Sequence, residues 1–154
     1  MSIKLDHHDR ALLDLLQRDA RLPTTTLAER IGLSPNATAE RLKRLRRDGV
    51  IRGFTVRLAP EVLGRGLLVF VEVRLERTTP DVFRAFAEAA RAAPEVLECH
   101  MVAGGFDYLV KTRVADMAAY RAFLSDGLLS LPCVRETHTY AVMEEVKSDG
   151  PMPL

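Results

Sequence analysis

LPTTTLAERIGLSPNATAERLKRLRRDG, running from Leu22 to Gly49, holds two short helical patterns separated by a tight turn. Leu27, Ala28 and Ile31 share one side of a helix of about two turns, because an α-helix returns every third or fourth residue to the same face. Gly32 ends that helix, since glycine enters the left-handed conformation of a C-terminus without a β-carbon clash. Leu33 follows as an apolar plug. Ser34 and Pro35 start the second helix: serine caps free backbone N–H groups, and proline has no N–H to lose at the first helical position. The spacing predicts a helix-turn-helix.

The second helix has two unlike sides. Thr38, Ala39, Leu42 and Leu45 form the packing side, while Ala37, Glu40, Arg41, Arg44 and Arg47 form a basic outer one. A charged helix face taken alone is more often solvated surface. Here it coincides with helix-turn-helix spacing, which points to the major groove of double-stranded DNA. Ser34, Asn36, Ala37, Glu40 and Arg41 lie toward the start of the helix. Of these, Asn36, Ala37, Glu40 and Arg41 are expected at base edges. Lys43, Arg44 and Arg47 are expected at phosphates, and Thr24 and Thr25 can donate to backbone oxygens.

Outward from this core, Asp6 caps a first helix over residues 6–18, with Leu12, Leu13 and Leu16 inward. After Gly49 the period changes to two. Val50, Ile51, Phe54, Val56 and Leu58 predict a short hairpin wing turning at Arg52 and Gly53. The expected divisions are a winged helix-turn-helix at 1–52, a connecting strand and linker at 53–66, a second domain at 67–147 and a flexible tail at 148–154.

The second domain is expected to run strand (67–76), helix (80–92), strand (96–102), strand (107–114), helix (116 to about 129) and strand (134–143). This βαββαβ order predicts an α+β, ferredoxin-like fold with both helices on one face of an antiparallel sheet. Leu68 and Phe70 alternate with Leu67, Val69 and Val71, so the first strand is apolar on both sides. Such a face usually meets a partner, and a homodimer is expected.

The 154 residues carry 22 Lys and Arg against 21 Asp and Glu. Residues 1–66 hold 13 of those cations against 8 acids, a balance reversed in the remainder and suited to a nucleic-acid-binding half joined to a half with another task. Neither a membrane span nor a signal peptide is visible, so a cytoplasmic location is expected. Cys99 and Cys133 suit buried thiols better than a disulfide framework. No enzymatic constellation emerges. Cys99 and His100 are strand neighbours facing opposite ways, no zinc-ligand spacing occurs, and His100 with His138 reads as ordinary strand histidines more readily than as a metal or pH-sensing pair.

LDHHDRALLDLLQRDAR, IGLSPNATAERLKRLRRDGVI, LLVFVEVRL, ECHMVAGGFDYLVKTRVADMAAYRAFL and THTYAVMEEVK together resemble segments of the Lrp/AsnC family of bacterial and archaeal transcription regulators. The resemblance spans nearly the whole chain. It implies a winged helix-turn-helix, an amino-acid-sensing ferredoxin-like domain, dimers paired through their sheets, assembly into octamers or related rings, and a small amino-acid effector such as leucine bound between dimers. It places the effector near Met101, Val102, Gly104, Gly105, Phe106, Asp107 and Tyr108. The chain departs from the family's pattern at Gly105, where a polar or acidic residue is common. The residues also suit a zwitterion in their own right. Gly104 and Gly105 let backbone N–H groups approach a carboxylate, Asp107 can accept from an ammonium, and Thr137 and Thr139 offer hydroxyls. A plain hairpin turn competes with that reading. No cofactor or metal is expected. The competing functions are an effector-independent DNA-organising protein and a small metabolic enzyme.

Overall fold

The computed structural model describes residues 3–154. The chain divides into two compact units: one runs to Arg57 and takes in Val146–Leu154, and the other spans Leu58–Glu145.

In the first unit, α1 (His7–Arg18) begins with a reciprocal cap. Asp6 Oδ1 accepts from the Asp9 backbone N–H at 2.8 Å, and Asp9 Oδ2 accepts from that of Asp6 at 3.2 Å, so two otherwise orphaned donors are satisfied. α2 (Thr24–Ile31) stops at Gly32, whose φ of +70° is the left-handed geometry the sequence required. α3 (Pro35–Arg47) starts where the Ser34 hydroxyl accepts from the Ala37 N–H at 3.2 Å. Leu12, Leu13, Leu27, Ile31 and Leu45 form the core, with Leu16, Leu33, Leu42, Val50 and Ile51 packed around them. Buried Thr38 satisfies its hydroxyl on the Ser34 carbonyl at 3.0 Å.

One local expectation changes here. Residues 50–58 form no strand, and Phe54 and Val56 are 50% and 77% exposed. A two-stranded hairpin needs a face to bury, and beyond Val50 and Ile51, which pack on the core, Phe54 and Val56 bury none; the Phe54 ring lies 5.8 Å from the Arg46 guanidinium. The tail has contacts within the same unit. The Gln17 carboxamide donates to the Met152 carbonyl at 3.1 Å and accepts from the Met152 N–H at 2.7 Å, while Arg57 donates to the Asp149 carbonyl at 2.5 Å.

The second unit holds β1 (Leu67–Leu75), α4 (Pro80–Ala92), β2 (Val96–Met101), β3 (Tyr108–Val114), α5 (Met117–Ala122) and β4 (Val134–Ala141). Neighbouring strands are antiparallel in the order β2-β3-β1-β4, the ferredoxin-like arrangement the element order called for. Val69, Val71, Val73 and Leu75 of β1 pack with Tyr108, Val110 and Val114 of β3 against Val82, Phe86 and Ala90 of α4 and against Tyr120, Phe123 and Leu128. The expected continuous helix over 116–129 ends at Ala122 and continues as a π turn, Phe123–Gly127, and a 3-10 turn, Leu128–Ser130. The wider turn brings Phe123 and Leu128, five positions apart, into the same core, where α-helical spacing would turn one of them out.

Residues paired across antiparallel strands share a face, so the open side of the sheet carries Leu68, Phe70, Glu72 and Arg74 of β1. Beside them stand Leu109, Lys111 and Arg113 of β3 and Glu136, His138 and Tyr140 of β4. The two-sided apolarity of β1 therefore ends at Phe70. His100 lies on edge strand β2 and His138 on the opposite edge, β4, each beside a glutamate of its own strand, Glu98 and Glu136.

Candidate functional site

On α3, Asn36, Ala37, Glu40 and Lys43 are exposed, as is Arg47, which pairs with the adjacent Asp48 at 2.9 Å. Lys43 also reaches Glu40 at 2.7 Å. Thr25 is exposed and Thr24 half-buried at the start of α2, and Ser34 is held by its capping bond. Arg41 does not extend from the outer face as the helical spacing suggested. Its Nη1 donates to Asp6 Oδ2 at 2.6 Å and to Asp9 Oδ1 at 2.9 Å. Arg44 Nη2 lies 2.5 and 2.6 Å from the two Asp9 oxygens. The Asp9 side chain is 1% exposed, and a carboxylate in that setting needs cationic partners. These two guanidiniums fasten α3 to α1, which holds Arg41 against the first helix and leaves Arg44 half-buried. Helical spacing did not disclose this clamp, because Asp9 lies more than 30 positions before its partners. The sequence reading also missed Arg46, an exposed cation one turn beyond Lys43.

In the second unit, the loop between β2 and β3 is exposed from Ala103 to Gly105. The Val102 N–H donates to the Asp107 carbonyl, and the Asp107 N–H to the Val73 carbonyl, both at 3.0 Å. Asp107 is partly committed, because its Oδ2 accepts from the Leu75 N–H at 2.8 Å. Arg74 Nη2 donates to the Gly105 carbonyl; the sequence reading passed over this cation, although it interrupts an apolar strand. Met101 is exposed, and Val102 and Phe106 are half-buried. Tyr108 faces the core and not the exposed surface of the loop. It is 4% exposed inside the core, its hydroxyl donates to the Phe83 carbonyl at 3.2 Å, and burial pushes that phenol's pKa up. Thr137 and Thr139 lie on the helix-facing side of β4, opposite Val73 and Val71, and Thr139 shares a 2.5 Å hydrogen bond with the Tyr120 hydroxyl. Cys99 faces Val110 on the same side of the sheet, and burial raises its thiol pKa.

Residues 5–52 match a family model described as winged helix-turn-helix DNA-binding, and residues 68–152 match the Lrp/AsnC ligand binding domain. The leucine-responsive regulatory proteins of Klebsiella pneumoniae and Escherichia coli K12 are each 52% identical over 146 residues, covering 95% of this chain and 89% of theirs. A Neisseria meningitidis transcriptional regulator solved as its L-Met complex superposes with a TM-score of 0.91 at 36% identity, covering 97% of both chains. The Mycobacterium tuberculosis leucine response regulatory protein does so with a TM-score of 0.82 at 32% identity, covering 95% of this chain and 97% of that one.

Proposed function

The chain belongs to the Lrp/AsnC family of DNA-binding transcription regulators, and from that premise we propose that α3 reads the major groove while the loop at 103–107 receives an apolar amino acid, leucine or methionine. It is a regulator and not an enzyme. The observation that carries the reading is a serine-capped helix presenting Asn36, Ala37, Glu40 and Lys43 to solvent, in the same chain as an Lrp/AsnC ligand-binding domain. Asn36, Ala37 and Glu40 meet base edges; Lys43, Arg46 and Arg47 meet phosphates, helped by Thr24, Thr25 and the Ser34 end of the helix. The relatives' leucine and methionine support the effector class. An effector changes DNA binding or assembly to the extent that it binds two arrangements of the protein unequally.

The working unit in this proposal is a homodimer that assembles further toward octamers, because two helix-turn-helix units can address half-sites about 34–36 Å apart. Duplexes enriched by this protein from a randomised pool provide the test, titrated by fluorescence anisotropy with and without L-leucine or L-methionine. An enriched motif whose affinity shifts with either amino acid is the expected result. Affinity that depends on duplex length, without an enriched motif or an amino-acid response, would favour the DNA-organising alternative.

A further inference from the structure

We propose that Arg74 is the carboxylate-recognising residue of the effector site, an inference that rests on the loop at 103–107 being that site. Arg74 ends the open-face series Leu68, Phe70, Glu72 of β1. The β1–β4 register slips beside it: Arg74 stands opposite Glu136 and Leu75 opposite Val134, which leaves Arg135 as an extra residue in β4. Bulges of this kind re-aim side chains next to sites. Here the Arg74 guanidinium is turned onto the loop, where Nη2 donates to the Gly105 carbonyl while Nη1 holds Glu136 at a loose 3.4 Å. The side chain is 47% exposed, and a guanidinium has more N–H donors than those two contacts use.

The loop glycines point the same way. Neither Gly104 nor Gly105 has the positive φ that would demand glycine, and a β-carbon added to either would meet nothing within 4 Å. Backbone strain and internal packing therefore leave their identity unexplained, whereas close approach of a ligand to the loop backbone accounts for it. On the other side of the loop, Asp107 Oδ2 is bound by the Leu75 N–H, and among the described residues Oδ1 has no hydrogen-bond partner.

A cation and an anion are thus anchored at adjacent positions of β1, one reaching into the loop through its side chain and the other tied back to the strand. This pair matches a zwitterionic α-amino acid, with the ammonium on Asp107 Oδ1 and the carboxylate on Arg74. A carboxylate is a stronger acceptor for guanidinium than the neutral Gly105 carbonyl and can engage two N–H groups in parallel. Ligand binding accordingly exchanges an internal contact of Arg74 for an external one.

The test is calorimetry on the full chain with each common amino acid in turn, followed by the tightest binder and its carboxamide on wild type, Arg74→Gln and Arg74→Lys. Wild type should prefer the acid over the amide by on the order of tenfold to a hundredfold, the scale of a charge-assisted hydrogen bond. Arg74→Gln should lower acid affinity to the level of the amide and bring the ratio close to one, with Arg74→Lys restoring part of the preference. A glutamine variant that weakens acid and amide equally would reduce Arg74 to a prop for the loop and overturn the proposal. So would a variant that binds both as wild type does. Wild type that binds no amino acid would defeat the effector reading itself, and this inference with it.

Discussion

Asp9 is the residue on which the presentation of α3 depends. Its buried carboxylate joins the α1 cap to Arg41 and Arg44 of α3, so removing its charge leaves two guanidiniums facing a neutral amide in a dry setting. Asp9→Asn should destabilise the helix-turn-helix unit by about 2–4 kcal/mol, less than a fully buried pair would lose because both arginines reach solvent. Hydrogen exchange at the Leu12 and Leu45 amides in urea would measure the loss, and protection equal to wild type would refute the clamp. Asp6 adds a pH dependence. The backbone N–H of Asp9 first, and then the Arg41 guanidinium, lower its pKa from 3.8 to about 2. The folded value lies below the unfolded one, so this contribution is fully present above the ordinary carboxylate range and is lost as pH falls from about 4 toward 2. The melting temperature should drop across that window, and Asp6→Asn should flatten the slope there.

The elements held together by local chemistry are the ones the sequence disclosed. Gly32 at φ +70° closes α2, and nothing lies within 4 Å of an added β-carbon, so Gly32→Ala is a clean probe of backbone strain. It should cost about 1 kcal/mol or more in chemical unfolding, with no clash to relieve; an unchanged midpoint would mean the turn relaxes. The caps at Asp6 and Ser34 and the period-two strands were legible for the same reason: each depends on residues close in sequence. What stayed hidden depends on distant partners. Arg41 and Arg44 look outward by helical spacing until Asp9, more than 30 positions earlier, takes them. Tyr108 looks like part of the loop until α4 covers it, and Arg74 gains meaning from a register slip between β1 and β4. The hairpin at 50–58 was drawn from alternation and a turn at Arg52 and Gly53, and neither supplies the surface a hairpin needs to cover.

On the scale of the molecule, the single chain leaves apolar surface in water. Phe54, Val56, Leu58, Val62 and Leu63 are all at least half exposed along the segment connecting the two units. On the open face of the sheet, half-buried Phe70 stands across from exposed Tyr140. Exposed apolar area of this kind marks an interface, and two carboxylates sharing that face already have partners: Glu72 the Tyr140 hydroxyl at 3.1 Å and Glu98 the Lys111 ammonium at 2.7 Å. Two sheets meeting there would bury aromatic surface while keeping those charges satisfied, which supports the proposed dimer. Phe70→Asp removes an aromatic anchor and sets a second carboxylate beside Glu72 on the same strand face. It should weaken self-association by on the order of tenfold or more while leaving the helix-facing core of Val69, Val71 and Val73 untouched. Sedimentation equilibrium of both proteins at micromolar concentration decides the matter, with wild type expected at twice the 17.2 kDa chain mass or a higher multiple. A wild-type species of chain mass alone would end the dimer proposal. Equal association of wild type and Phe70→Asp would move the interface away from the open face and toward the apolar row that begins at Phe54.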